Sequence, residues 1–83
     1  MSLSLHVSGD AAVSLRRLHI ELQEAVYDVF EEFMADQTFL APGSEHTSIA
    51  TAMADGEFQA AVIELRVSAT GDVVTVFHIE GPD

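Results

Sequence analysis

Four histidines, 14 acidic residues and no cysteine define the chemistry open to this chain of 83 residues. Without cysteine there are no thiolate nucleophiles, disulfides or cysteine-held metal centres. The histidines raise a metal site first. His78 and Glu80 share one face of a strand at i,i+2, and His6 joins them if the first and last strands pair, a donor set suited to a zinc-like ion. His-x-Glu is common by chance, and Glu64 with Arg66 reads equally well there as a cross-strand polar network. No metal is therefore assigned, with His6, His78 and Glu80 as the weak candidates. Ser44 and His46 are near enough in sequence to suggest a nucleophile and its base, but the only carboxylate at hand to orient the histidine is Glu45, and no oxyanion donor is legible. The glycines are isolated turn residues, so no phosphate-cradling loop is present. The expectation is a protein that is not an enzyme and needs no cofactor.

Carboxylates are the most distinctive resource. With Arg16, Arg17 and Arg66 as its only cationic side chains apart from histidine, the chain carries a formal charge of −11. Neutralising several phosphates needs more cations than this, so direct nucleic-acid binding and attachment to an anionic membrane are disfavoured. At 48% hydrophobic residues and a mean hydropathy of +0.25 the chain is too apolar for a disordered acidic tail, and it should fold. The sequence shows neither a membrane-length apolar run nor a secretory leader pattern, which makes the cytoplasm the expected location.

The elements that must position these groups follow from periodicity. Residues 2 to 8 alternate, with Leu3, Leu5 and Val7 on one face and Ser4, His6 and Ser8 on the other, as in a half-buried strand. Asp10 is placed to cap a helix starting at Ala11. From there to about Ala35 neither Gly nor Pro intervenes, and Leu15, Leu18, Leu22, Ala25, Val26, Val29 and Phe33 fall on one face. That predicts one long helix of about 37 Å at 1.5 Å per residue. Pro42 and Gly43 mark the loop from Gln37 to Ser44. Three strands then follow, Thr47 to Met53, Phe58 to Ser68 and Val73 to Glu80, joined at Asp55-Gly56 and Thr70-Gly71-Asp72. Residues 44–54 also fit a short helix capped by Ser44, although the Asp-Gly turn argues for a strand. The expected fold is a single α+β domain over residues 1–83, ordered β-α-β-β-β. One four-stranded, mostly antiparallel sheet would have the long helix across one face.

Three surfaces of this arrangement are candidates for function. Opposite the core face, Glu21, Glu24, Asp28, Glu31 and Glu32 form an acidic stripe spanning about 17 Å. Its charge spacing of about 4 Å approaches the 3.4 Å per charge of a DNA strand, so a basic partner, met as a nucleic-acid mimic or inhibitor would meet it, is a concrete possibility. Like charges three and four residues apart destabilise a helix, and no Lys offsets them. Beside the stripe, Ile20, Tyr27 and Met34 recur every seven residues and form a seam for another helix. On the sheet, Ala61, Ile63, Leu65 and Val67 are expected to face the helix. Phe58, Ala60 and Val62 then face away, joined by Val74 and Val76 if Phe77 and Ile79 point inward. Exposed apolar surface on so small a domain points to a homo-oligomer, most simply a dimer.

The function class expected is a non-enzymatic interaction or regulatory domain with an acidic helix face for a basic protein. Two readings compete with it: a small ligand- or metal-binding protein using the outer sheet face, and a structural subunit whose acidity only solubilises it.

Overall fold

The computed structural model describes residues 3–35 and 41–82. In chain order they form β1 (Ser4–Val7), α1 (Gly9–Arg17), α2 (Ile20–Ala35), β2 (Glu45–Ala54), β3 (Glu57–Val67) and β4 (Val73–Glu80). The sheet order is β1-β4-β3-β2. β2 with β3 and β3 with β4 are antiparallel hairpins, whereas β1 runs parallel to β4, so the sheet is mixed. The α+β class and the four strands are as expected; the single long helix is not.

The helix divides at Leu18 and His19. Leu18 is extended, with ψ at 153°, and its N–H closes the end of α1 on the Leu15 carbonyl. Gln23, one turn into α2, sends its Nε2 back to the carbonyls of Leu18 at 2.8 Å and Arg16 at 3.4 Å, acceptors that a helix end leaves without partners. His19 opens α2. Its carbonyl accepts from the Gln23 N–H, its Nδ1 accepts from the Glu21 N–H at 3.4 Å, and its Nε2 lies 3.4 Å from Asp55 in the β2–β3 turn. A ring with its proton on Nε2 meets both contacts, so the half-buried His19 ties the helix break to the hairpin. Side chains thus make a break where the sequence has no Gly or Pro. At the other end, Ser8 rather than Asp10 caps α1: its Oγ accepts from the Ala11 N–H, and Asp10 lies within the first turn.

Both helices cover the same face of the sheet, α1 over β4 and α2 over β2. Beneath them Leu15, Leu22, Val26 and Phe30 meet Ala50, Ala61, Ile63, Leu65, Val67, Val74, Val76 and Ile79. Two corrections arise here. Phe30, outside the expected helix face, is buried, while Phe33, Val29 and Ala25 are only partly so. Val74 and Val76, expected on the outer face, are fully buried in the core. A bulge in β4 is responsible. Leu65 pairs with Val76 but Glu64 pairs with His78, so Phe77 is the extra residue and the in-out alternation reverses there. Val74 and Val76 before the bulge and Ile79 after it can then all point inward.

β2 is a strand throughout, and the helical alternative for residues 44–54 is not adopted. Asp55 at φ 52° and Gly56 at φ 76° give the tight turn two consecutive left-handed residues, the type I′ geometry that twists in step with its strands. Ala41-Pro42-Gly43-Ser44 is a separate turn, closed by the Ser44 N–H on the Ala41 carbonyl at 3.1 Å with Gly43 at φ 76°. The expected loop residues Gln37 to Leu40 lie outside the described residues.

Candidate functional site

α2 carries the acidic stripe as a solvated face. Glu21, Glu24, Asp28, Glu31 and Glu32 are all exposed, and the helix has no Lys or Arg among its residues. Glu21 has His19 as a neighbour at 3.9 Å. Beside the stripe, Ile20 is 59% and Tyr27 51% exposed, while Met34 at the third seam position is half-buried. Tyr27 meets Phe30 edge-on at 6.0 Å, which anchors one side of its ring to the core. The helix thus presents carboxylates and a partly apolar flank together.

The outer sheet face gathers the remaining candidates. Phe58 is 70% exposed beside Met53, and Val62 lies beside Ile49; both neighbours are themselves more than half exposed. Sequence reasoning had Phe58 and Val62 but missed Ile49 and Met53, because the strand of residues 44–54 had no paired register from which to assign a face. Val74 and Val76 leave this group, since they lie under the helices and cannot contribute to an interface on the outer face.

The metal candidates do not converge. The first and last strands do pair, but in a parallel register that sets His6 opposite Thr75, while His78 lies beyond the end of β1 and is opposed by Glu64. No group of three or more His, Asp or Glu side chains able to share an ion forms among the described residues. Arg66 is committed elsewhere: its Nε and Nη2 reach Glu45 Oε1 at 3.1 and 2.8 Å, and its guanidinium lies 5.0 Å from the Phe77 ring centre. The polar network on this face therefore runs from Glu45 through Arg66 to Phe77, not from Glu64.

Ser44 and His46 come closer than their spacing alone required. Ser44 Oγ lies 2.8 Å from His46 Nε2, and the ring rests against Phe33. A hydroxyl has one proton, and Ser44 also contacts the carbonyl of Ala41, which can only accept. With the hydroxyl proton directed to the Ala41 carbonyl, the tautomer that satisfies Ser44 is the one in which His46 Nε2 donates to it. That polarity is opposite to the one in which a histidine draws a proton from a nucleophile.

One shallow depression of about 300 Å³ lies where the end of α1 meets the end of β4, lined by Arg17, Leu18, His78, Ile79, Glu80 and Pro82 among others. Arg17, His78 and Glu80 share its lining, and the helix break at Leu18 beside it was not legible in the sequence. No helix among the described residues is long and apolar enough to cross a membrane.

Neither a protein-family model nor a curated protein matches this chain in sequence. In three dimensions it is similar to a chain of the archaeal RelE–RelB complex from Pyrococcus horikoshii OT3. The TM-score is 0.62, and the match covers 98% of this chain and 96% of that one at 7% identity. The likeness is one of fold. At that identity the likeness does not extend to side chains, so the acidic face and the outer sheet patch must be read on their own terms.

Proposed function

We propose that this chain is a non-enzymatic interaction domain that presents the acidic face of α2 to a basic protein partner and associates with itself. The observation that carries the first part is the row of five exposed carboxylates on a helix without a single basic residue. Glu21 with Glu24, Glu24 with Asp28, and Asp28 with both Glu31 and Glu32 are like-charge neighbours, each costing the helix a few tenths of a kcal/mol. A basic partner would relieve that repulsion and gain long-range attraction from a chain of charge −11. The fold is compatible with such a role, since its structural neighbour comes from a complex of two proteins. Nothing in the reading calls for chemistry by the chain itself, with the Ser44 proton held by Ala41 and Arg66 paired to Glu45.

The test is capture of partners from the source cell by the wild-type chain and by a variant carrying Glu24→Gln, Asp28→Gln and Glu31→Gln, across a salt series. Exposed ion pairs contribute about 0.2–1 kcal/mol each, so the variant should bind a basic partner roughly 3- to 150-fold more weakly. Binding by the wild type should fade as the screening length shrinks from about 8 Å at 0.15 M salt to 3 Å at 1 M. If both chains retain the same partners at every salt concentration, the acidity only solubilises and the proposal falls.

A further inference from the structure

The outer edge of β2 is the least defended surface of the fold. Among the described residues no strand pairs with it, and β2 is a ten-residue strand in unbroken register with β3. Exposed edges are ordinarily blunted by shortness, proline, lysine or a bulge. The opposite edge, β1, is only four residues long, but β2 has none of these devices.

Which backbone groups it offers follows from the hairpin. The two-residue turn makes Ala54 and Glu57 a hydrogen-bonded pair, and the Val67 N–H bonds the Ser44 carbonyl at 2.8 Å, so the even-numbered residues of β2 bond to β3. Thr47, Ile49, Thr51 and Met53 therefore direct their N–H and C=O groups outward. Their side chains all lie on the outer face, where Ile49 is 60% and Met53 58% exposed.

We infer that this edge pairs with the β2 edge of a second copy of the chain, antiparallel about a two-fold axis at Thr51. The inference rests on the self-association part of the function proposed above. This register sets Ile49 of each copy opposite Met53 of the other, and each such pair exchanges both backbone bonds. Because Ile49 already neighbours Val62, and Met53 neighbours Phe58, the outer face gains a row of Val62, Ile49, Met53 and Phe58 running across four strands, repeated by symmetry. The apolar patch is thus complementary to itself.

Charge selects the occupant. From His46 to Ala54 the strand has no Asp or Glu, in a chain with 14 of them. A basic partner gains nothing at such an edge, whereas a second copy can dock there while the acidic stripes stay on the helices. Two chains of like net charge repel over long range, so this association tightens with added salt, opposite to capture of a basic partner.

The experiment measures mass in solution by light scattering and cross-linking of single-cysteine variants, available because the natural chain has no cysteine. The wild type should show twice the 8.9 kDa chain mass, the dimer fraction rising with salt. Thr51→Cys places two sulfurs on residues whose Cα atoms are about 5.5 Å apart, within disulfide range, and should oxidise to a covalent dimer. Thr47→Cys places them roughly 27 Å apart along the strands and should not. Thr51→Pro removes an outward N–H and no bond to β3, so it should halve the mass while the circular dichroism of the fold persists. Should that variant unfold, Thr51→Lys opposes two like charges at the axis and should halve the mass instead. A single-chain mass for the wild type at millimolar protein, or equal cross-linking at positions 47 and 51, would overturn the inference. A dimer that survives both Thr51→Pro and Thr51→Lys would sink the edge pairing while leaving self-association standing, and unchanged capture by the glutamine variant would sink only the basic-partner reading.

Discussion

Gln23 is the side chain on which the two-helix architecture turns, and its replacement has an outcome that can be worked from geometry. Its Nε2 donates to the Leu18 carbonyl at 2.8 Å and reaches the Arg16 carbonyl at 3.4 Å, both at the end of α1. In Gln23→Ala the shorter bond is lost, worth about 1 kcal/mol, and the longer one adds little. Alanine returns a few tenths of a kcal/mol through its higher helix propensity, leaving a net loss of about 0.5–1 kcal/mol. Gln23→Glu is the sharper probe. A carboxylate cannot donate, so the same bond is lost with little gain in propensity, and its oxygen faces a carbonyl oxygen. The expected loss is about 1–2 kcal/mol near neutral pH, partly recovered in acid as the carboxyl protonates. Urea unfolding with linear extrapolation resolves these differences, and in a domain of this size 1 kcal/mol moves the melting temperature by about 4–8 °C. Far-ultraviolet circular dichroism tracks helix content alongside. If Gln23→Ala is as stable as wild type or more so, or if the glutamate variant is no worse than the alanine variant, the break is not maintained by this cap. The continuous helix expected from periodicity would then be close in energy.

Other outcomes follow from burial and hydrogen bonding. Leu22→Ala, at a side chain with no solvent exposure, should cost about 2–5 kcal/mol in equilibrium unfolding; Ile20→Ala, 59% exposed two residues away, should change stability by about 0.5 kcal/mol or less. Equal effects at the two positions would contradict the rotation assigned to α2. Asp72 accepts hydrogen bonds from the hydroxyls of Thr70 and Ser68, which hold its carboxyl below the ordinary 3.8. Because the folded-state value is the lower one, this contribution is present above about pH 4 and is lost as the pH falls through the folded value. A carbon-13 titration of the Asp72 carboxyl should have its midpoint below 3.8, rising in Thr70→Val; a wild-type midpoint at or above 3.8 would show that the hydroxyls do not act on it.

Much of the architecture was legible from local pattern. Alternation in Leu3, Leu5 and Val7 identified β1, and Asp55-Gly56 identified a hairpin because few residue pairs tolerate two successive positive φ angles. The span Val73 to Glu80 was read with its observed limits, and the acidic residues of α2 were read as a solvated face, which they are. These features depend on a residue and its immediate neighbours. The helix break, made by one side chain reaching five residues back, left no mark on periodicity, and the features missed in the sheet depend on strand register. Phe77 is surplus only because β3 pairs with Val76 and then with His78, and that bulge alone moves Val74 and Val76 from the outer face to the core. His6 and His78 are kept apart by a parallel register that no spacing within either strand encodes.

The sequence by itself determined the charge, the acidic helix face, the lack of thiol chemistry and the α+β class, because composition and short-range periodicity suffice for each. Only the tertiary structure decided where the helix breaks, which valines are buried and which edge is open. The break rests on side chains reaching across a turn, the burial on a bulge set by a neighbouring strand, and the open edge on the order in which four strands assemble. The break is a local contact that apolar periodicity does not register, whereas the bulge and the open edge arise between segments separate in the chain, and alternation within any one segment is the same whichever partner it meets.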